Sequence, residues 1–144
     1  AVGALRTIVS RAGLADWFEV DGAATYDGHT DQPPSLLAIE ASARRGYAIS
    51  DLRARPLATE DMAHFHYPLA MDRTHLAAMR WLAPSRLTER PQMFLKYAPA
   101  LGLRDVQDPF GGTNEDFERA LDLIEAGCAG LLKHLHSTLG GPGG

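Results

Sequence analysis

Asp108 stands in the segment Gln107-Asp108-Pro109-Phe110-Gly111-Gly112, where a proline stiffens the chain and two glycines free it. An acid held on a rigid turn, beside an aromatic and against apolar surroundings, can have its pKa raised and serve as a general acid. The competing reading is an ordinary turn aspartate, because Asp-Pro is a common turn pair. His64 and His66 lie two apart, with His75 following. On a strand the first two would share a face, yet no Asp, Glu or Cys falls at a recognised metal-site spacing. Polar side chains on a solvated strand edge account for them, and no metal is expected. Asp72-Arg73 follows a predicted strand end, where it could serve a site or simply start a helix.

Cys128 is the only thiol in the chain. It falls on the apolar stripe of the last predicted helix, far from a helix N-terminus that could stabilise a thiolate, so a buried structural cysteine is expected. A phosphate-gripping thiol loop would need an arginine six residues on, and that position is His134. No other glycine-rich phosphate cradle is present. Spacing alone gives an acid without a nucleophile.

These residues need elements to hold them. Apolar residues from Ala1 to Ala12 recur at helical spacing, with Gly13 as the stop. Trp17-Phe18-Glu19-Val20 reads as a short strand, and Asp21 to Pro34 as a loop. Ser35 caps a second helix that ends at Gly46, and Thr59-Glu60-Asp61 opens a short third one. His64 to Met71 is apolar enough for a buried strand, although Pro68 removes a ladder donor. A helix over 72–82 and a short strand at Met93-Phe94-Leu95 follow. Thr113 with Asp116 resembles a capping arrangement for the last helix, which keeps its period from Phe117 to Leu135. Residues 140–144 are expected to be a flexible tail after a single domain over 1–139. Helices alternating with strands favour parallel βαβ units and a doubly wound α/β sheet in three layers. Ligands of such sheets sit beyond the carboxyl ends of the strands. That places interest on 21–28, 72–74 and 97–113.

The 144 residues carry a formal net charge of −4, with 45% hydrophobic and 22% charged residues. One cysteine excludes an internal disulfide framework and a multi-cysteine zinc site. The mildly acidic balance gives no reason to expect a nucleic-acid partner. No apolar run approaches the ~20 residues needed to span a bilayer, and no secretory signal opens the chain. The expectation is a cytoplasmic domain with no membrane partner and no cofactor.

The ordered string of segments resembles the low-molecular-weight protein tyrosine phosphatases, a family that includes arsenate reductases of the same fold. The matching pieces are Arg11-Ala12-Gly13-Leu14, Phe18-Glu19-Val20-Asp21, Ala43-Arg44-Arg45-Gly46-Tyr47 and Arg53-Ala54-Arg55. Ala70-Met71-Asp72-Arg73, Asp108-Pro109-Phe110-Gly111-Gly112 and the run from Phe117 to Ile124 complete the order. The resemblance implies a four-stranded parallel sheet flanked by helices. It also implies phosphate-monoester hydrolysis through a phosphocysteine formed on a C-x5-R-[ST]-P loop. Within that scheme Asp108 is the general acid, Phe110 is an aromatic wall near the substrate, and the substrate is a phosphotyrosine protein or a small phosphomonoester.

Ala1 aligns a few residues after the family's loop arginine, so the first strand, the loop cysteine and the arginine are not among these residues. The 144-residue chain by itself is therefore expected not to perform the family reaction. A sheet without that strand would expose an edge, through which a homo-oligomer could form. Further departures are Asp21-Gly22-Ala23-Ala24-Thr25, the loop near Gly28, Ser35-Leu36-Leu37 and Pro68. They leave open a non-catalytic relative acting as a binding or oligomerisation domain. Arsenate reduction would need more cysteines to relay a disulfide.

Overall fold

The computed structural model describes residues 2–13, 18–23, 34–53, 55–107, 109 and 112–139. It is an α/β fold in which a parallel sheet is flanked by helices. The described strands are β1 (Leu69–Ala70) and β2 (Gln92–Met93), paired in parallel with Leu69 opposite Gln92 and Ala70 opposite Met93. Helix α4 (Arg73–Leu82) lies between them in the chain and packs on both, closing a βαβ unit.

The other helices follow the sequence pattern. Helix α1 (Val2–Arg11) is stopped by Gly13, whose φ of +74° is the left-handed value that favours glycine. Helix α2 (Leu36–Arg44) starts from Ser35, whose hydroxyl accepts a hydrogen bond from the Ala38 N–H. Helix α3 (Asp61–His64) is one turn long, with Asp61 at its start. Helix α5 (Asn114–Leu139) spans 26 residues, as the long apolar period requires. Residues 140–144 lie outside the described residues.

The sheet separates two cores because successive strand residues point to opposite faces. Leu69 and Met71 pack on one side with α1, α2 and α5. There Ala4, Ala41, Phe94, Val106, Phe117, Leu121, Ile124 and Cys128 form a buried cluster. On the other side Ala70 meets Met62 of α3 and Met79 of α4, with Leu57, Leu76 and Met93 packed around them. Helix, sheet and helix make three layers.

Three strand expectations are corrected. Phe18–Val20 has no ladder partner among the described residues, and Trp17 lies outside them. The segment expected as a strand from His64 contains the end of α3 and an irregular stretch, with pairing confined to Leu69–Ala70. Pro68 marks that limit: it has no N–H to give, and its carbonyl accepts from Gln92 N at 3.1 Å. The strand expected at 93–95 pairs only through Gln92–Met93. Phe94–Tyr97 then tightens into a 3₁₀ turn that packs on α5.

Candidate active site

The carboxyl end of β1 is stitched to the segment that leads into Asp108. The Met71 carbonyl accepts from Val106 N at 2.7 Å. The Arg73 backbone N–H donates to Asp105 Oδ1 at 3.0 Å, and its guanidinium donates to Asp105 Oδ2 from Nε at 3.2 Å and Nη2 at 3.0 Å. The chain beyond Asp105 therefore leaves from the end of the parallel pair where α/β proteins place ligands.

The other end of the same segment is fixed by the start of α5. Thr113 N–H donates to Asp116 Oδ2 at 2.9 Å, and Asp116 N–H donates to Thr113 Oγ1 at 3.3 Å. This reciprocal pair is a capping box, with Asp in the place of the usual Glu. The Thr113 N–H, and then its hydroxyl, hold the Asp116 carboxyl below the usual carboxylate range. Gly112 N–H donates to the Pro109 carbonyl at 2.8 Å, turning the chain into the helix. A Cβ at Gly112 would meet Asp116 Oδ2 at 2.5 Å and the Pro109 carbonyl oxygen at 2.9 Å, so only glycine fits beside this cap. Asp108, Phe110 and Gly111 lie outside the described residues. The described contacts thus fix both ends of the segment from Asp105 to Thr113.

Asp72 takes the structural role left open by its position. Its Oδ1 accepts from His75 N at 2.8 Å and from Thr74 Oγ1 at 2.6 Å, capping α4. Burial pushes its carboxyl up, but these donors outweigh burial and hold it below the ordinary value. A carboxylate held ionised in this way is a cap and a poor proton donor.

A second charged group ties 18–23 to α3. Arg55 spans Asp21, at 3.2 Å, and Asp61, at 3.0 and 3.1 Å. Glu19 Oε1 lies 2.7 Å from His64 Nε2. The Arg6 guanidinium donates twice to the Val20 carbonyl, at 2.9 and 2.6 Å. His64 therefore closes a one-turn helix, and its grouping with His66 on a strand edge does not hold. Among the described residues no three His, Cys, Asp or Glu side chains gather as metal ligands.

Cys128 is fully buried in the α5 core, and burial pushes its thiol up to about 11. A protonated, enclosed thiol is no nucleophile. Two residues passed over in the sequence also matter here: Asp105, which meets Arg73, and Glu125, which joins Glu118 and Asp122 around Arg45. Neither carries a sequence signal beyond its charge, which many surface residues share.

A family model described as low molecular weight phosphotyrosine protein phosphatase matches residues 1–139. The chain belongs to this family. A putative low molecular weight protein-tyrosine-phosphatase of Synechocystis sp. is 32% identical over 132 residues, covering 91% of this chain and 83% of that protein. The low molecular weight protein-tyrosine-phosphatase of Streptomyces coelicolor is 31% identical over 144 residues, covering 98% and 87%. Among solved structures, YfkJ from Bacillus subtilis superposes with a TM-score of 0.88 at 27% identity, covering 95% of this chain and 85% of that one. The protein tyrosine phosphatase of Entamoeba histolytica, with Hepes in its active site, gives a TM-score of 0.90 at 22% identity and supports the fold.

Membership of the phosphatase family explains why the matching segments recur in their order. Several of them are scaffold. Arg44 and Arg45 at the end of α2 clasp Glu118, Asp122 and Glu125 along α5, at 2.6–3.0 Å. Within those segments Arg55 bridges Asp21 and Asp61, and Met71 and Arg73 hold Val106 and Asp105.

Proposed function

We propose that this chain carries the proton-donating part of a phosphate-monoester hydrolase, with Asp108 as general acid and Phe110 as the aromatic wall beside the substrate. The observation that supports it best is the double anchoring of 105–113, at the carboxyl end of β1 and at the capped start of α5. A loop anchored at both ends beside a strand terminus suits a residue that must act at a fixed place on a ligand. The aryl phosphate reading rests on the names of the relatives. It makes the substrate a phosphotyrosine protein or a small phosphomonoester in the cytoplasm, with neither membrane nor nucleic acid as partner. No helix among the described residues is long and apolar enough to cross a membrane.

The nucleophile in this scheme is the cysteine of a C-x5-R-[ST]-P loop, and the one cysteine of these 144 residues is the buried Cys128. The 144-residue polypeptide alone is therefore expected to leave p-nitrophenyl phosphate unhydrolysed. The test is to join a β-strand and a C-x5-R-[ST]-P loop to its N-terminus and measure turnover. Hydrolysis is expected, and Asp108→Ala is expected to lower kcat by about 10²–10⁴-fold, the usual worth of a positioned acid. Full activity in Asp108→Ala would contradict the assignment.

The departures from the family pattern between Gly22 and Ser35, and at Pro68, favour a second reading, a non-catalytic family member that binds or oligomerises through a strand edge. Sedimentation of the 144-residue chain as a stable dimer, with no hydrolysis by the loop-bearing form, would support that reading over the first.

A further inference from the structure

The outward side of α4 does not belong to the acid loop or to either core. Helix α4 turns Met79 and Leu76 inward onto Ala70 and Met62, and Ala83 just after it packs there too. Trp81, two residues from Met79 and so on the opposite side of the helix, is 84% exposed, more than any other large hydrophobic residue described. Ala77, one turn before it, is also exposed and small. A tryptophan normally buries most of its large surface, and one held in water on a rigid helix is unusual.

The charges around it are equally unbalanced. Residues 73–90 contain four arginines and a single acid, Glu89, in a chain whose net charge is −4. Arg73 is committed to Asp105, and Arg90 to the Phe65 carbonyl. Arg80, beside Trp81, and Arg86, in the 3₁₀ turn after Pro84, are exposed and have no acidic partner among the described residues. By contrast Arg45 and Arg55 each hold at least two carboxylates. Tryptophan and arginine together are the side chains enriched where a few residues carry most of the binding energy. Guanidinium forks match carboxylates in pairs of hydrogen bonds.

We propose that Trp81, with Arg80 and Arg86, is a docking site for an acidic segment of a partner protein that presents an apolar side chain to the indole. A peptide fits better than a nucleic acid or a membrane. Two free arginines fall short of the roughly 6–10 phosphate contacts of a strong DNA binder and of the 4–8 basic residues of a lipid-binding cluster. Helix α4 begins at Asp72, beside the acid loop, and Trp81 lies nine residues along, about 13 Å at the helical rise. A partner seated there leaves the carboxyl end of β1 open. The site would recruit without blocking.

The test uses the whole 144-residue chain and a fluorescein-labelled peptide of glutamates interrupted by a central Leu-Phe pair, with a lysine-for-glutamate peptide as control. Anisotropy should show saturable binding of the acidic peptide only, weakened by added salt. Trp81→Ala should weaken it about tenfold or more, as should Arg80→Glu combined with Arg86→Glu. Circular dichroism should show each variant folded, since all three side chains are exposed. The proposal is overturned if wild type does not bind, or if Trp81→Ala binds equally well. It is also overturned if the Trp81-dependent partner is instead a phosphatidylserine vesicle, a single-stranded RNA or a second copy of the chain in sedimentation. None of these readings requires hydrolysis, so they stand apart from the assignment of Asp108.

Discussion

At the scale of single residues, burial decides which groups are chemically available. Cys128 is enclosed and its thiol is pushed up to about 11, so native protein should resist a thiol reagent at mild alkaline pH. Titration with Ellman's reagent should find one thiol in denaturant and essentially none without it. Rapid reaction of the native thiol would contradict the packing of α5. Asp61 and Asp72 show the opposite effect. Burial raises both, but Arg55 and the Ala58 N–H for Asp61, and Thr74 and His75 N–H for Asp72, carry each below the ordinary value of 3.8. A carboxylate lowered in the folded state contributes stability in full above its unfolded pKa, and loses it as pH falls through the folded one. Urea midpoints should therefore drop below about pH 4, and Asp61→Asn should flatten that acid slope. An unchanged slope would mean that Arg55 does not hold Asp61 in solution.

At the scale of elements, α5 is the organising piece, and its glycines record how closely its neighbours approach. A Cβ at Gly130 would run into the Tyr97 carbonyl oxygen, and one at Gly127 into the Phe94 ring. Alanine in a free helix gains about 1 kcal/mol over glycine, but overpacking against backbone costs about 1–3 kcal/mol. Gly130→Ala should thus lower the urea midpoint, and a rise would contradict the approach of the 3₁₀ turn. Arg45→Ala removes contacts to Glu118, Asp122 and Glu125 from a side chain 21% exposed. Its acidic partners are a third or more exposed, so screening limits the expected loss to about 1 kcal/mol, read as a lower urea midpoint that added salt partly hides.

Helices α2, α4 and α5 were readable in the sequence because each joins an apolar period to a chemical start. Ser35, Asp72 and Thr113 with Asp116 all cap as their types and positions suggest. The strands were less readable. A two-residue ladder is too short for an alternating pattern, and 65–68 is apolar without being paired. The Arg73–Asp105 and Arg45–Glu125 pairs join residues far apart in the chain, and local spacing carries no mark of them. Of the two ends that hold the segment around Asp108, the Thr113–Asp116 cap was legible in the sequence, while the Arg73–Asp105 tie was not.

At the scale of the whole molecule, the layered α/β fold gives the two proposals separate places. The segment leading to Asp108 leaves from the carboxyl end of the parallel pair, and the exposed Trp81 lies further along the same α4 that begins there. The central claim is that Asp108 gives a proton to the departing oxygen. Such an acid matters most when that oxygen leaves poorly and little when it leaves well. The deciding measurement is kcat/KM for phenyl phosphate and for p-nitrophenyl phosphate, in the loop-bearing chain and in its Asp108→Asn variant. The loss should be larger for phenyl phosphate by about tenfold or more. An equal loss for both substrates, or none, would contradict the assignment of Asp108 as the general acid.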